Sequence, residues 1–130
     1  MDYQTAFTAS LEVVANACED VVPPVYEALF KRYPDFEELF VLDIDHGARG
    51  HMLNEALSMA EGLLDRDLVA HNFVAAERMN HVGYGIEDDV FEGFYTVMAE
   101  TFQNIAGPAW TSDMGDAWRE ISLRASQAKL

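Results

Sequence analysis

Cysteine is almost absent. Cys18 is the single one in 130 residues, so no disulfide can form within the chain and a reducing, cytoplasmic address is expected. Basic residues are scarce as well: eight Lys and Arg stand against 23 Asp and Glu, a formal net charge of −15. A field of that sign repels nucleic acid and anionic membrane surfaces, so neither is expected as a partner. The opening MDYQTAFTASLEVV has no basic stretch ahead of a long apolar one, and no signal peptide is expected. No window approaches the roughly 18 uninterrupted apolar residues of a membrane span. Catalytic signatures are missing too. There is no P-loop, HExxH, CxxC, GxSxG or EF-hand loop.

What the chain does have is apolar mass. Half of it is hydrophobic, with eight Phe, five Tyr, two Trp and six Met. That is enough to fill one hydrophobic core, and a single domain over 1–130 is expected.

Helical spacing dominates, and no period-2 strand stands out, so the fold class is all-α with about seven helices of unequal length. Phe7, Leu11, Val14 and Cys18 mark the inward face of a first helix. Pro23-Pro24 restarts the chain, because proline suits a helix's first turn and not its interior. Val25, Leu29 and Phe30 give the second helix its stripe, and DFEELF after Pro34 reads as a short helical turn ending at Phe40. VLDIDHGARG is a loop with Asp45 as N-cap of the next helix, whose Leu53, Ala56, Leu57, Ala60 and Leu64 share one face. LVAHNFVAAERMNH follows and stops at Gly83 and Gly85. Glu87, Asp88 and Asp89 then complement the dipole of a long helix that buries Phe91, Phe94, Tyr95, Met98 and Phe102. A last helix after Thr111-Ser112-Asp113 carries Trp118, Ile121 and Leu123.

Four histidines remain as candidates for chemistry. His51 and His71 fall on polar sides of their helices, and His46 lies one turn before Arg49. His81 ends a helix just before a Gly-Tyr-Gly corner. For a lone histidine beside an apolar face, the plain reading is a hydrogen-bonded structural residue. An aromatic, all-helical core with a second helix facing that histidine also suits a buried planar cofactor. Haem iron takes an imidazole on one side and leaves the other position to a gas, and its macrocycle wants Phe, Leu, Val and Met walls.

Three stretches resemble a globin, specifically a bacterial single-domain globin similar to the haem domain of flavohaemoglobins. PPVYEALFKRYPDFEELF is similar to the family's second and third helices, ARGHMLNEAL to its distal helix, and HVGYGI to its proximal-histidine corner. The resemblance covers nearly the whole chain and implies a three-over-three globin fold holding one b-type haem (haem b). It makes His81 the iron ligand, Tyr26 the distal hydrogen-bond donor and Phe40 the wedge against the ring. It puts Arg49 over the iron, either reaching a propionate or the ligand or swinging out to leave Tyr26 the only polar distal group, with Leu53 as the distal wall and Ile86, Phe91 and Met98 on the proximal side. A protonated guanidinium has no lone pair to give, so His46 is the competitor for a sixth coordination position.

This chain also departs from the family. Arg49 stands where Gln or His is usual, Phe91 replaces a buttressing tyrosine, and the buttressing glutamate position falls past residue 130. Glu77, one turn before His81, occupies a usually apolar position and is a candidate acceptor for the second ring N–H of His81, beside its plain reading as a solvated glutamate. The resemblance implies reversible binding of O2, NO or CO by a monomer or homodimer. Nitric oxide dioxygenation is the enzymatic alternative; with no flavin or nicotinamide segment in the chain, it needs an external reductase. The other alternative is a globin-fold interaction or sensor module that has lost its haem.

Overall fold

The computed structural model describes residues 2–129. Among them are six α-helices and no strand: α1 Tyr3–Ala17, α2 Val22–Arg32, α3 Gly47–Leu64, α4 Leu68–Val82, α5 Asp88–Ala106 and α6 Ser112–Gln127. A 3-10 helix spans Pro34–Phe40 and a 3-10 turn spans Gly107–Ala109. Counted with the longer 3-10 segment, the α-helices reach the expected seven. α1, α3 and α4 form one layer over α2, α5 and α6, tied across the middle by α1 on α6, α3 on α6 and α2 on α3. This is the all-α, three-over-three globin fold. No helix is long and apolar enough to cross a membrane among the described residues.

Helix starts follow local chemistry. Asp2, Asp67 and Thr111 side chains accept N–H groups at the starts of α1, α4 and α6, satisfying donors that a first turn leaves free. Pro23 and Pro24 occupy the first turn of α2, where a missing N–H costs nothing. The start of α3 differs from expectation. The helix begins at Gly47, and its N-cap residue is His46, in the left-handed region at φ 61°. Asp45 accepts only the Gly47 N–H, at 3.0 Å. The capping carboxylate is that of Asp43, whose two oxygens take the N–H groups of Ala48 at 2.9 Å and Arg49 at 3.0 Å. Burial alone would push the Asp43 carboxyl up, but these two N–H groups and the Arg49 charge outweigh it and hold the group below the usual carboxylate value.

The inward faces are broadly as the spacing predicts, but Leu11, Phe30, Ala56, Leu57, Phe91 and Phe94 are only half-buried, as is Cys18, the C-cap of α1, and Leu123 on α6 is exposed. The core centres on Trp118, whose ring meets Phe7 at 5.4 Å and Phe102 at 5.5 Å between centroids. Its indole N–H donates to Ser10 Oγ at 3.0 Å, and that hydroxyl donates to the Phe7 carbonyl at 2.6 Å. The buried polar atoms are thus satisfied, and α1 is locked to α6. Arg124 on α6 donates to the carbonyls of Leu63 and Leu64, the last residues of α3, and so caps that helix from outside. α3 and α4 meet where Gly62 faces Ala70, an approach that leaves no room for a second methyl.

Candidate haem site

α4 delivers His81 in its last turn, and the corner beyond is held by Tyr84 and Ile86 N–H groups donating to the His81 carbonyl at 2.9 and 3.0 Å. The imidazole itself is oriented. Its Nδ1 lies 2.7 Å from the Glu77 backbone carbonyl. A carbonyl can only accept, so Nδ1 carries a proton, and in the neutral ring that leaves the lone pair on Nε2. That is the tautomer a metal-ligating histidine needs. The Glu77 carboxylate stands at 3.9 Å from Nδ1, too far for a hydrogen bond, so the partner is the backbone and not the side chain proposed from the sequence.

His81 lines two apolar cavities. One, of about 650 Å³, is walled by Leu29, Phe36, Phe40, Tyr84, Ile86 and Val90 among others. The other, of about 380 Å³, lies beside Ala56, Met59, Phe73 and Val74. His81, Met52, Phe91 and Phe94 belong to both. The combined space lies in the size range of sites that bury a large planar ligand. Phe91 meets the imidazole at 4.9 Å between centroids. Of the residues expected at the site, His81, Phe40, Ile86 and Phe91 therefore converge.

The other expected residues sit elsewhere. Leu53 and Met98 are fully buried in the core and line neither cavity. Tyr26 packs behind the wall, against Phe40 at 5.5 Å and Phe94 at 5.9 Å, and donates its hydroxyl to the Arg49 carbonyl at 3.0 Å. Burial pushes that hydroxyl well above the ordinary tyrosine value, so it stays a donor. The Arg49 guanidinium lies 5.3 Å from the Phe40 ring and 5.7 Å from the Phe30 ring. Its Nη1 donates to the Asp43 carbonyl at 3.3 Å, while its Nε is buried without a partner. Arg49 lines a third, polar cavity of about 540 Å³ with His46, Asp43, Glu37 and Glu38. His46 is exposed there, His51 is exposed at the rim of the smaller apolar cavity, and His71 is half-buried on α4.

Sequence reasoning missed most of the lining, Leu29, Phe36, Tyr84 and Val90 included, and three further residues in or beside the site are informative. Met52 and Phe94 face both cavities. Met52 could have been found from spacing, since Ala48, Met52, Ala56 and Met59 recur at helical intervals just beside the Leu53 stripe. The third, Arg78, is buried one turn before His81. Its burial has no signature in a single sequence, because arginine is normally exposed.

The globin family model matches residues 24–127, from the first turn of α2 to the end of α6. The chain belongs to the globin family. Membership brings haem binding and diatomic-gas binding as the family's general properties. No curated protein and no solved structure matches this globin.

The residues present fit a haem. The donor is an imidazole whose Nδ1 is engaged by a backbone carbonyl, and the walls are mostly aromatic and aliphatic. Neither apolar cavity has a Lys or Arg among its lining residues, so the propionates of a haem meet no cationic wall. The nearest candidate, Arg49, lines the polar cavity, which shares Phe40 and Asp43 with the larger apolar one.

Proposed function

We propose that this globin holds one haem b through Nε2 of His81 and reversibly binds O2, NO or CO, as a cytoplasmic, bacterial single-domain globin similar to the haem domain of flavohaemoglobins. The observation that carries the reading is the His81 tautomer: Nδ1–H is spent on the Glu77 carbonyl, and Nε2 is left with a lone pair on a residue that lines both apolar cavities. When bound, haem would supply an iron centre able to take a diatomic ligand. Phe40, Phe91 and Phe94 exclude water from the cavity and hold the ring in place. Tyr26 lines neither apolar cavity and spends its O–H on the Arg49 carbonyl, so a donor role toward a ligand would require that bond to break first.

The test is haem reconstitution of four proteins followed by visible absorption in the ferric and ferrous-CO forms. Native chain, His51→Ala and His71→Ala are expected to give the same Soret band and stoichiometry, and His81→Ala to lose the haem on gel filtration. Equal haem retention by His81→Ala overturns the assignment of the ligand. No haem uptake by the native chain favours the second reading, a haem-free globin-fold module, for which cavity walls without a Lys or Arg speak.

A further inference from the structure

Arg78 is the one charged side chain in the core among the described residues. Burying a guanidinium is costly unless every donor is paired, and here the pairing is dense. Nε donates to the Ala128 carbonyl at 3.2 Å and Nη2 to the Ala125 carbonyl. Nη1 donates to Glu92 Oε1 at 2.6 Å and lies 3.5 Å from the Asp88 carbonyl. Its Cζ lies 5.4 Å from the Phe91 ring centroid, a cation–π contact. One side chain thus bridges three elements: α4, on which it stands, the first turn of α5, and the last turn of α6.

The two carbonyls are those of Ala125 in the last turn of α6, which also takes the Ala128 N–H, and of the C-cap Ala128, and the negative end of the helix dipole is there. A cation is the complementary partner. The placement on α4 matters more. His81 follows three residues later, on the same face, at a helix end whose neighbours Met79, Val82 and Tyr84 are exposed. Packing holds that last turn poorly. Its orientation depends on the polar bridge one turn earlier and on Phe91, which touches both Arg78 and His81.

We propose that Arg78 is the positioning residue of the proximal side. Through its fork to Glu92 and the α6 terminus, and through Phe91, it fixes the imidazole of His81 in place. The role rests on ligation by His81, but the bridge exists without haem, so its effect on the helix end can be read in the haem-free protein. A lysine cannot replace it, because one ammonium cannot reach a carboxylate and two carbonyls in the fork geometry of a guanidinium.

The experiment compares native chain, Arg78→Lys and the milder Glu92→Gln. Glu92→Gln removes one charged partner and leaves both α6 carbonyl bonds in place, and it serves if Arg78→Lys does not fold. In the haem-free proteins, amide exchange over residues 79–86 is expected to speed up about tenfold or more in Arg78→Lys and by a smaller factor in Glu92→Gln, with α1 and the Trp118 core unchanged. After haem loading, the ferrous iron–histidine stretching band in resonance Raman is expected to shift and broaden in the same order. A lowered melting temperature with exchange over 79–86 and the iron–histidine band both unchanged makes Arg78 an ordinary structural residue and overturns the proposal. Failure of the native chain to take up haem removes the Raman readout and sinks the proposed function. The exchange result then still decides whether Arg78 holds this helix end.

Discussion

Two phenols pin α3 at points two turns apart, and their removal gives a calculable result. Tyr26 on α2 donates to the Arg49 carbonyl at 3.0 Å, and Tyr95 on α5 donates to the Ala56 carbonyl at 2.9 Å, two helical turns further along. Both side chains are buried. Phenylalanine keeps the ring and deletes only the donor. Each carbonyl retains its intrahelical N–H, so the cost per phenol is that of an ordinary hydrogen bond, about 1 kcal/mol. At pH 8 the Tyr26→Phe, Tyr95→Phe double variant of the haem-free protein is therefore expected to be about 2 kcal/mol less stable than the native chain.

Alkali reverses this. Burial raises both folded-state phenols above the ordinary value, so above pH ~10 the unfolded chain has lost two protons that the fold retains. Stability contributed by these groups is complete below that pH and drains away as pH rises. At pH 11 the loss is about 1.4 kcal/mol per phenol, roughly 2.8 kcal/mol in all, which exceeds the ~2 kcal/mol gained from the bonds. The variant has neither group to titrate. Urea unfolding followed by far-UV circular dichroism at pH 8, 9, 10 and 11 should show the two stabilities crossing between pH 10 and 11. A gap that stays constant from pH 8 to 11 would show that these phenols titrate alike in both states, and the burial argument would fall.

Further outcomes follow from single contacts. In Gly62→Ala the new methyl collides with the Ala70 methyl where α3 meets α4, so thermal unfolding should come about 5–10 °C lower, for an overpacking cost of about 2 kcal/mol that outweighs the gain in helix propensity. An unchanged or raised midpoint would mean that the α3–α4 contact is slack. Asp43→Ala removes the acceptor for the Ala48 and Arg49 N–H groups and should lower the midpoint at pH 7. Because the folded Asp43 carboxyl is depressed, its contribution is present at neutral pH and lost as pH falls through the acid range, so native and variant midpoints should converge below pH ~4. A difference that persists at pH 2.5 would put the effect of Asp43 in packing and not in its charge.

Where legibility ended is instructive. The helices were readable because their apolar stripes are long and their punctuation is explicit: Pro23-Pro24, Pro34, Asp67, Gly83 and Thr111 all stand at or next to boundaries. The start of α3 was not: Asp45 was the expected cap, whereas the fold brings the Asp43 oxygens to the Ala48 and Arg49 N–H groups and leaves Asp45 only that of Gly47. His81 was legible as a helix-end imidazole, and its place between Glu77 and Phe91 required coordinates. Tyr26 and Arg49 were legible as residue types in a motif, whereas the bond between them is a contact of 23 residues' separation that no spacing rule encodes. Arg78 left no trace, since its burial depends on two α6 carbonyls about fifty residues away.

The absence of Lys and Arg from the walls around His81, where Glu55, Glu77 and Asp43 do stand, bears on how fast this globin could be loaded. A porphyrin with two carboxylates approaches a chain of formal charge −15, and no Lys or Arg lines either cavity at His81 to draw it in. Encounter is therefore opposed at long range, the reverse of electrostatic steering, and the opposition reaches about 10 Å at 0.1 M salt but only about 3 Å at 1 M. Uptake should accelerate with ionic strength while release, governed by contacts inside the dry cavity, barely changes. Salt then acts as an association catalyst, and the retention of the cofactor is a matter of slow escape and not of charge attraction.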